Sequence, residues 1–260
     1  LIPLKSKSEI EIMGQNGAVL SDVLEGVKRL AKPGVTTLEL DRFAESEIRR
    51  AGAEPAFKGY RGYPASLCTS INEEVVHGIP SRKRHLKEGD ILSLDIGLKM
   101  DGLFSDMAST IPIGKVPEKL AIFLRISEES LWEGIKHAFP GNRLGDISNA
   151  IQKHAEENAY SVVRDYVGHG IGRQMHEEPV LPNFGPPNTG PRLDVGMVLA
   201  IEPMINMGGY QVRLLADGWT VITVDGSLSA HFEHSVAITV DGPRVLTVRS
   251  PEKKGENRQA

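Results

Sequence analysis

The sequence predicts an α+β protein made of two related halves that together form one domain. Three observations carry this. Four stretches repeat apolar residues at helical spacing. Other segments show the two-residue alternation of strands. Short motifs also recur at a fixed interval: Ala31-Lys32-Pro33-Gly34 and Ala138-Phe139-Pro140-Gly141 lie 107 residues apart, as do the strand-like runs Gly89–Asp95 and Gly196–Glu202. Both runs end in a carboxylate. Val76-His77-Gly78-Ile79 and Gly168-His169-Gly170-Ile171 read as a third correspondence, at an offset of 92.

The elements follow in order. Ser8 and Glu11 have the spacing of a capping box, and Val19, Val23, Leu24, Val27 and Leu30 then repeat at helical period. Pro33-Gly34 ends that helix. Thr36 and Glu39 start a second, which runs to about Gly52 with Leu40, Phe43 and Ile48 on its apolar side. Residues 53–88 are rich in Gly, Pro and short strands. From Gly89 the pattern alternates, with Asp101-Gly102 as the turn of a hairpin that returns from Leu103 to Ile113. Helical periodicity resumes at 117–137 and at about 146–159. Strands are predicted around 161–167, 196–202, 210–214, 219–224, 230–240 and 244–249. Residues 250–260 are nearly devoid of apolar side chains and read as a flexible polar tail.

Composition excludes several classes of function. The 260 residues are 40% hydrophobic and 25% charged, which supports a packed core rather than global disorder. A net charge of −4 leaves no basic excess to neutralise phosphates, so a nucleic-acid function is not expected. The one cysteine, Cys68, rules out an intramolecular disulfide or a Cys-rich zinc site and fits a reducing compartment. No apolar run nears the roughly 20 residues that span a membrane. The first eight residues also lack the long apolar stretch of a secretory signal. The expectation is a cytoplasmic globular protein.

The chemistry lies in carboxylates and histidines. If Asp101-Gly102 is a two-residue turn, Asp95 faces Ala108, and Asp106 is its diagonal neighbour on the same face. Ile91, Ser93 and Ala108 share that face and mark it as inward. Two inward carboxylates repel unless something positive sits between them, and a divalent metal is the economical answer. Glu202 ends an apolar strand, and Glu233 precedes the alternation of Val236, Ile238 and Val240. His169, between Gly168 and Gly170, has room for a ligand to approach. Four carboxylates and an imidazole suit two metal ions drawn from Mn, Fe, Co or Zn, and no thiolate favours a softer ion. His231 and His234 flank Glu233 and are read as facing away from it.

Taken together, these residues resemble the type I methionine aminopeptidases of the pita-bread fold, over about Lys5 to Arg249. The strongest pieces are Ser70-Ile71-Asn72-Glu73-Glu74-Val75-Val76-His77-Gly78-Ile79-Pro80, the Asp95 and Asp106 strands, Gly168–Gly172, Met175-His176-Glu177-Glu178-Pro179, Ile201–Met204 and Phe232-Glu233-His234. Only 31 residues separate Glu202 from Glu233, which leaves no room for the helical insertion of the type II enzymes. The resemblance implies one catalytic domain over 5–249, with two pseudo-twofold-related halves and a curved antiparallel sheet covered by helices. It implies that Asp95, Asp106, His169, Glu202 and Glu233 hold two divalent metals, with a bridging water or hydroxide as nucleophile. Glu202 would also shuttle the proton, His176 would hold the scissile carbonyl, and His77 would contact the peptide beyond it.

The same resemblance lines a methionine pocket with Phe57, Tyr60, Tyr63, Cys68, Met175 and Trp219. Three nearby positions depart from the usual bacterial pattern: Phe57 where Cys is frequent, Arg61 where His is frequent, and Met175 where Phe is frequent. Met175 keeps apolar bulk, while Arg61 adds charge at the entrance. The implied substrates are nascent polypeptide N-termini with a small second residue, met during transient ribosome contact by a monomeric enzyme. Two rivals are weighed. Proline-specific peptidases of the same fold usually carry a further N-terminal domain, whereas the first helix here begins close to Ser8. A non-catalytic relative would be expected to have lost ligands, and all five are present.

Overall fold

The computed structural model describes residues 1–249; the tail expected at 250–260 lies outside them. Four helices, α1 (Lys7–Leu30), α2 (Thr37–Arg50), α3 (Glu118–Lys136) and α4 (Leu144–Glu157), accompany a nine-stranded, largely central sheet and two three-stranded sheets. Every strand pairing is antiparallel. The architecture is α+β with antiparallel sheets, as expected.

Helix α1 is capped by Ser6 with Glu9, not by Ser8 with Glu11: the Ser6 hydroxyl accepts from Glu9 N–H and the Glu9 carboxylate accepts from Ser6 N–H. Both serines have a glutamate three residues on, so spacing alone could not choose. Glu11 is engaged instead by Arg244. Helix α2 starts on Thr36 and Glu39 as expected. Helix α4 begins two residues before the expected 146, because the Asp146 carboxylate accepts from Arg143 N–H.

The hairpin pairs as read: Ile91–Met100 runs against Leu103–Pro112 with Asp95 opposite Ala108 and Asp106 opposite Gly97. Alternation then sorts side chains to two faces. Leu92, Leu94, Ile96 and Leu98 pack with Leu20, Leu24 and Val27 of α1 and Leu40, Ala44 and Ile48 of α2. Ser93, Asp95 and Gly97 take the other face. In the second half Leu199, Ile201, Val236 and Ile238 pack with Phe123, Leu131, Ile147 and Ile151 of α3 and α4. Glu233 and Ser235 alternate with Val236 and His234 on the opposite face. Each half thus buries one face of its strands under two helices and turns its carboxylates the other way.

The internal echo extends to the hydrogen bonds. Gly34 N–H donates to Leu86 O and Leu86 N–H to Val35 O; Gly141 N–H donates to Leu193 O and Leu193 N–H to Asn142 O, again 107 residues on. Isolated bridges join Thr36 to His85 and Arg143 to Arg192 at the same interval. Gly34 and Gly141 have φ of 91° and 95°, and Gly89 and Gly196 have 90° and 99°, a left-handed conformation that favours glycine. The third correspondence does not hold. At the 107-residue offset Ser93 matches Ala200; Ser93 pairs with Ser70, and Ala200 pairs with His169. The counterpart of His169 is therefore Ser70, whereas His77 sits in a loop with φ of 60°.

Several predicted strands are shorter. The 161–167 segment reduces to Ser161–Val162, and 230–240 splits into Ser229–His231 and Glu233–Thr239 at Phe232. Glu177–Leu181 and Met204–Asn206 are strands that the sequence reading missed. The former follows a buried ion pair, Lys5 with Glu177, whose side chains are 1% and 5% exposed. A Cβ on Gly172 would collide with the Lys5 stem, so the glycine leaves its path open. Lys5 also anchors through its backbone to Gly196 O at 2.7 Å, fixing where α1 begins.

Replacing Lys5 by Met removes one partner of a buried pair and strands the Glu177 charge. Urea denaturation is expected to show a loss of about 3–5 kcal/mol, and a shift under 1 kcal/mol would mean the pair is solvated.

Candidate metal centre and substrate cavity

A cavity of about 140 Å³ opens on the face away from the helices, lined by Phe57, Tyr60, Arg61, Tyr63, Cys68, His77, Asp95, Asp106, His169, Met175, His176, Glu202, Trp219 and Glu233. Every residue singled out from the sequence as a site candidate is in its wall.

The carboxylates come from both halves of the sheet. Asp95 and Asp106 project from the hairpin, and Glu233 faces Ala108 across the seam between the halves. Ser235 stitches that seam: its hydroxyl donates to Asp106 O at 2.8 Å and accepts from Asp106 N–H at 3.2 Å. Asp106, His169 and Glu233 each offer one ligand atom within 4.8 Å of the others. Glu202, just past Val198–Ile201, brings Oε1 to 3.4 Å from His169 Nε2.

The hydrogen bonds leave this cluster short of positive charge. Asp95 Oδ1, Asp106 Oδ1 and Glu233 Oε1 are buried without a partner. His169 Nδ1 lies 2.9 Å from Gly170 O, and a carbonyl can only accept, so Nδ1 carries the proton. The Nε2 lone pair then faces Glu202 Oε1, and when that carboxylate is ionised the two are acceptors face to face. A cation between them relieves that repulsion and satisfies the orphaned oxygens. The donor set of carboxylates and one imidazole suits a hard or borderline divalent ion. The residues fit the metal expected from the sequence.

Burial dominates the protonation equilibria. It raises Asp95 to about 7. Asp106, Glu202 and Glu233 are raised well above the carboxylate range by burial first, then by one another's charges. Burial also lowers His77 and His169 to about 4. His176 is lowered by burial and then by the charge of Arg61.

The histidines occupy distinct places. His176 stacks on Tyr60 with ring centroids 5.3 Å apart, and its Nδ1 is 2.8 Å from the Tyr60 hydroxyl. Its ring also lies 4.1 Å from that of His169. His77 packs edge-on against Tyr166 and Trp219. His234 turns away as expected, with Nδ1 2.9 Å from the Thr247 hydroxyl and its ring against Trp132. His231 does not: its Nε2 lies 3.7 Å from Glu202 Oε2. Residues two apart share a face, so His231 lies on the side of Glu233, contrary to the sequence reading.

Phe57, Tyr63, Cys68 and Met175 form a buried apolar cluster with Ala56 and Ala65, against which Tyr60 and Trp219 pack. Burial and the nearby Asp95 charge push the Cys68 thiol up, so it stays neutral. Gly97, which the sequence reading did not single out, leaves room for this cluster to pack. A Cβ there would come 2.8 Å from Phe57 and 3.3 Å from Met175. The glycines flanking His169 have a different purpose from the one expected. A Cβ on Gly168 would lie 2.4 Å from Ala200 O, and one on Gly170 2.3 Å from Glu178 O. They admit neighbouring backbone rather than a ligand.

The chain is similar to known proteins over nearly its whole length. Residues 11–240 match the model of metallopeptidase family M24. The chain is 53% identical over 248 residues to a methionine aminopeptidase of Clostridium perfringens, covering 95% of this chain and 99% of that one. It is 51% identical over 247 residues to methionine aminopeptidase 1 of Bacillus subtilis, with coverage of 95% and 99%. The solved methionine aminopeptidase of Thermotoga maritima superimposes with a TM-score of 0.94 at 44% identity, over 96% of this chain and 100% of that one. The prolidase of Pyrococcus furiosus shares the fold, with a TM-score of 0.75 at 24% identity over 95% of this chain and 66% of its own.

The buried carboxylates give the chelated protein a signed pH dependence. A carboxyl whose folded pKa is raised contributes stability at low pH and loses it as pH rises through the folded value. The lowered histidines act oppositely, but only below about pH 6.5, above which they are neutral in both states. Chelated protein is therefore expected to melt at progressively lower temperature from pH 6.5 to 8.5, and added Mn²⁺ should flatten the trend. Thermal scans across that range check it; a chelated protein that gains stability with pH would contradict it.

Proposed function

The chain belongs to metallopeptidase family M24, and from that premise we propose that it removes the N-terminal methionine from polypeptides whose second residue is small. It is an aminopeptidase with a divalent-metal cofactor. The observation that carries the substrate reading is the adjacency of two environments in one small cavity. A closed apolar wall of Phe57, Tyr63, Cys68, Met175 and Trp219 meets a floor of four carboxylates and His169. The wall suits an unbranched thioether side chain, and the acidic floor suits a free α-amine. The acidic cluster lies beside the apolar wall in the same cavity, so a free amine and the first side chain can be engaged together, which supports removal from the end.

Asp95, Asp106, His169, Glu202 and Glu233 would hold the metal, and we assign two ions to the five ligands, from Mn, Fe, Co or Zn. The metal, when bound, supplies Lewis acidity that polarises a carbonyl and brings water toward a pKa of about 7. The remaining work falls to side chains of the chain itself. Glu202, buried and with a raised proton affinity, would take a proton from the attacking water and hand it to the leaving amine. His176 is positioned to hold the scissile carbonyl oxygen. If the Tyr60 hydroxyl donates to Nδ1 across their 2.8 Å separation, the His176 proton resides on Nε2 and faces the substrate. The lowered pKa of His176 keeps the ring neutral and leaves Tyr60 this donor role. His77, neutral and held between Tyr166 and Trp219, would contact the peptide beyond the scissile bond.

We extend the reading to one catalytic domain over 5–249 that acts as a monomer in the cytoplasm on nascent chains, with transient ribosome contact. No helix among the described residues is long and apolar enough to cross a membrane. The proline-peptidase rival loses ground on identity: the chain is 53% identical to a methionine aminopeptidase and 24% identical to the prolidase it superimposes on.

Metal-stripped protein is expected to be inactive on Met-Ala-Ser peptides and to regain activity with Co²⁺, Mn²⁺ or Fe²⁺. Glu202→Ala should lower kcat by at least about a hundredfold, whereas His77→Ala should lower turnover with the metal retained. Assays on Met-Ala and Ala-Pro peptides, with metal analysis of each variant, check this. Equal cleavage of both peptides, or metal loss in His77→Ala, would contradict it.

A further inference from the structure

The cavity is electrically polarised from floor to mouth. Its carboxylates, Asp95, Asp106, Glu202 and Glu233, converge at the floor, while Arg61 is the one arginine or lysine in the lining and is exposed to solvent. No carboxylate lies within ion-pair distance of Arg61 among the described residues. The backbone takes an uncommon conformation to present it. Arg61 has φ of 48°, the left-handed region, inside a tight turn between Gly59 at 85° and Gly62 at 92°. A non-glycine residue held there beside a cavity is a sign of a functional constraint. The side chain is also directed: its guanidinium carbon lies 5.4 Å from the centroid of the Tyr60 ring, a cation–π distance.

Tyr60 links that charge to the reacting centre. One partner of Tyr60 is Arg61, and the other is His176, at 2.8 Å through the hydroxyl. A chain that leaves His176 toward the Tyr60 side therefore passes under the guanidinium. A second groove, of about 570 Å³, also reaches His169 and His176 and runs past Gln174, Glu178 and Val180. It offers the other route out, and its cation, Arg173, is already paired with Glu9 at 2.6 Å.

We propose that Arg61 is a specificity-determining residue that favours polypeptides with aspartate or glutamate soon after the cleaved methionine and disfavours lysine and arginine there. The proposal rests on the aminopeptidase reading above. It names a substrate class within it: acidic N-terminal segments of the form Met-small-acidic. An exposed charge pair contributes modestly, so the preference is about two- to fivefold for acidic over neutral, and salt screens it.

The test compares C-terminally amidated peptides Met-Ala-Asp-Ser-Gly, Met-Ala-Asn-Ser-Gly and Met-Ala-Lys-Ser-Gly on the metal-loaded full chain, at low salt and at 0.5 M salt. Each kcat/KM is divided by that of the Asn peptide, so a variant that also slows turnover remains readable. Wild type is expected to rank Asp above Asn above Lys, mainly through KM, with the spread shrinking in salt. Arg61→Gln should bring the three together, and Arg61→Glu should reverse the order. Equal values in wild type, or a spread that survives Arg61→Gln, would overturn the proposal and send the departing chain along the Val180 groove. Failure to cleave any of the three would overturn the aminopeptidase reading, and this proposal with it.

Discussion

Four carboxylates converging at one point, two buried and two half-buried, with no lysine or buried arginine among them, are the constraint around which the molecule is organised. Asp95, Asp106, Glu202 and Glu233 come from strands of both halves, and each half anchors its pair by burying the opposite strand face under two helices. Mutual repulsion would drive them apart or protonate them. The partnerless oxygens of Asp95, Asp106 and Glu233, and the lone pair of His169 turned toward Glu202, show that the fold does not resolve this from its own donors. The net charge of −4 equals the charge of these four groups, so two divalent ions would balance the ligands and the chain together.

Much of this was legible in the sequence because it follows from local rules. The Asp101-Gly102 turn fixed the register that sets Asp95 diagonal to Asp106. The 107-residue echo carried the duplicated helix stops, turns and strands, down to matched hydrogen bonds. The assignment of roles drew instead on resemblance, since no periodicity distinguishes a metal-binding aspartate from a turn aspartate. What stayed hidden depends on contacts between distant segments. Lys5 reads as an ordinary surface lysine until Glu177 and Gly172 close over it. Gly97 reads as a strand glycine until Phe57 and Met175 arrive above it. Ser6 and Ser8 have equal capping patterns, and the anchoring of Lys5 to Gly196 sets the chain entry from which Ser6 caps the helix. His231, by contrast, was legible locally: two positions from Glu233, it shares that residue's face by simple strand alternation.

The cavity wall shows how packing turns this charge cluster into a selective site. Strand alternation puts Gly97 on the same face as Asp95, so the residue that lets Phe57 and Met175 pack closely and the first carboxylate of the floor are two positions apart. Tyr60 then connects the regions, touching the pocket cluster, His176 and Arg61. Side chain, amine and departing chain would each meet a different chemistry within one small volume. Arg61 is the exposed member of that arrangement, held over Tyr60 by a left-handed turn rather than by a strand.

The central claim is that the cluster is a built receptacle for divalent cations. An anomalous difference map from crystals grown with Mn²⁺ tests it most directly. Density is expected inside the cavity, within coordination distance of Asp106, His169 and Glu233 and shared with Asp95 and Glu202. Crystals that bind Mn²⁺ only at the surface, with the carboxylates hydrogen-bonded to one another in the cavity, would contradict it.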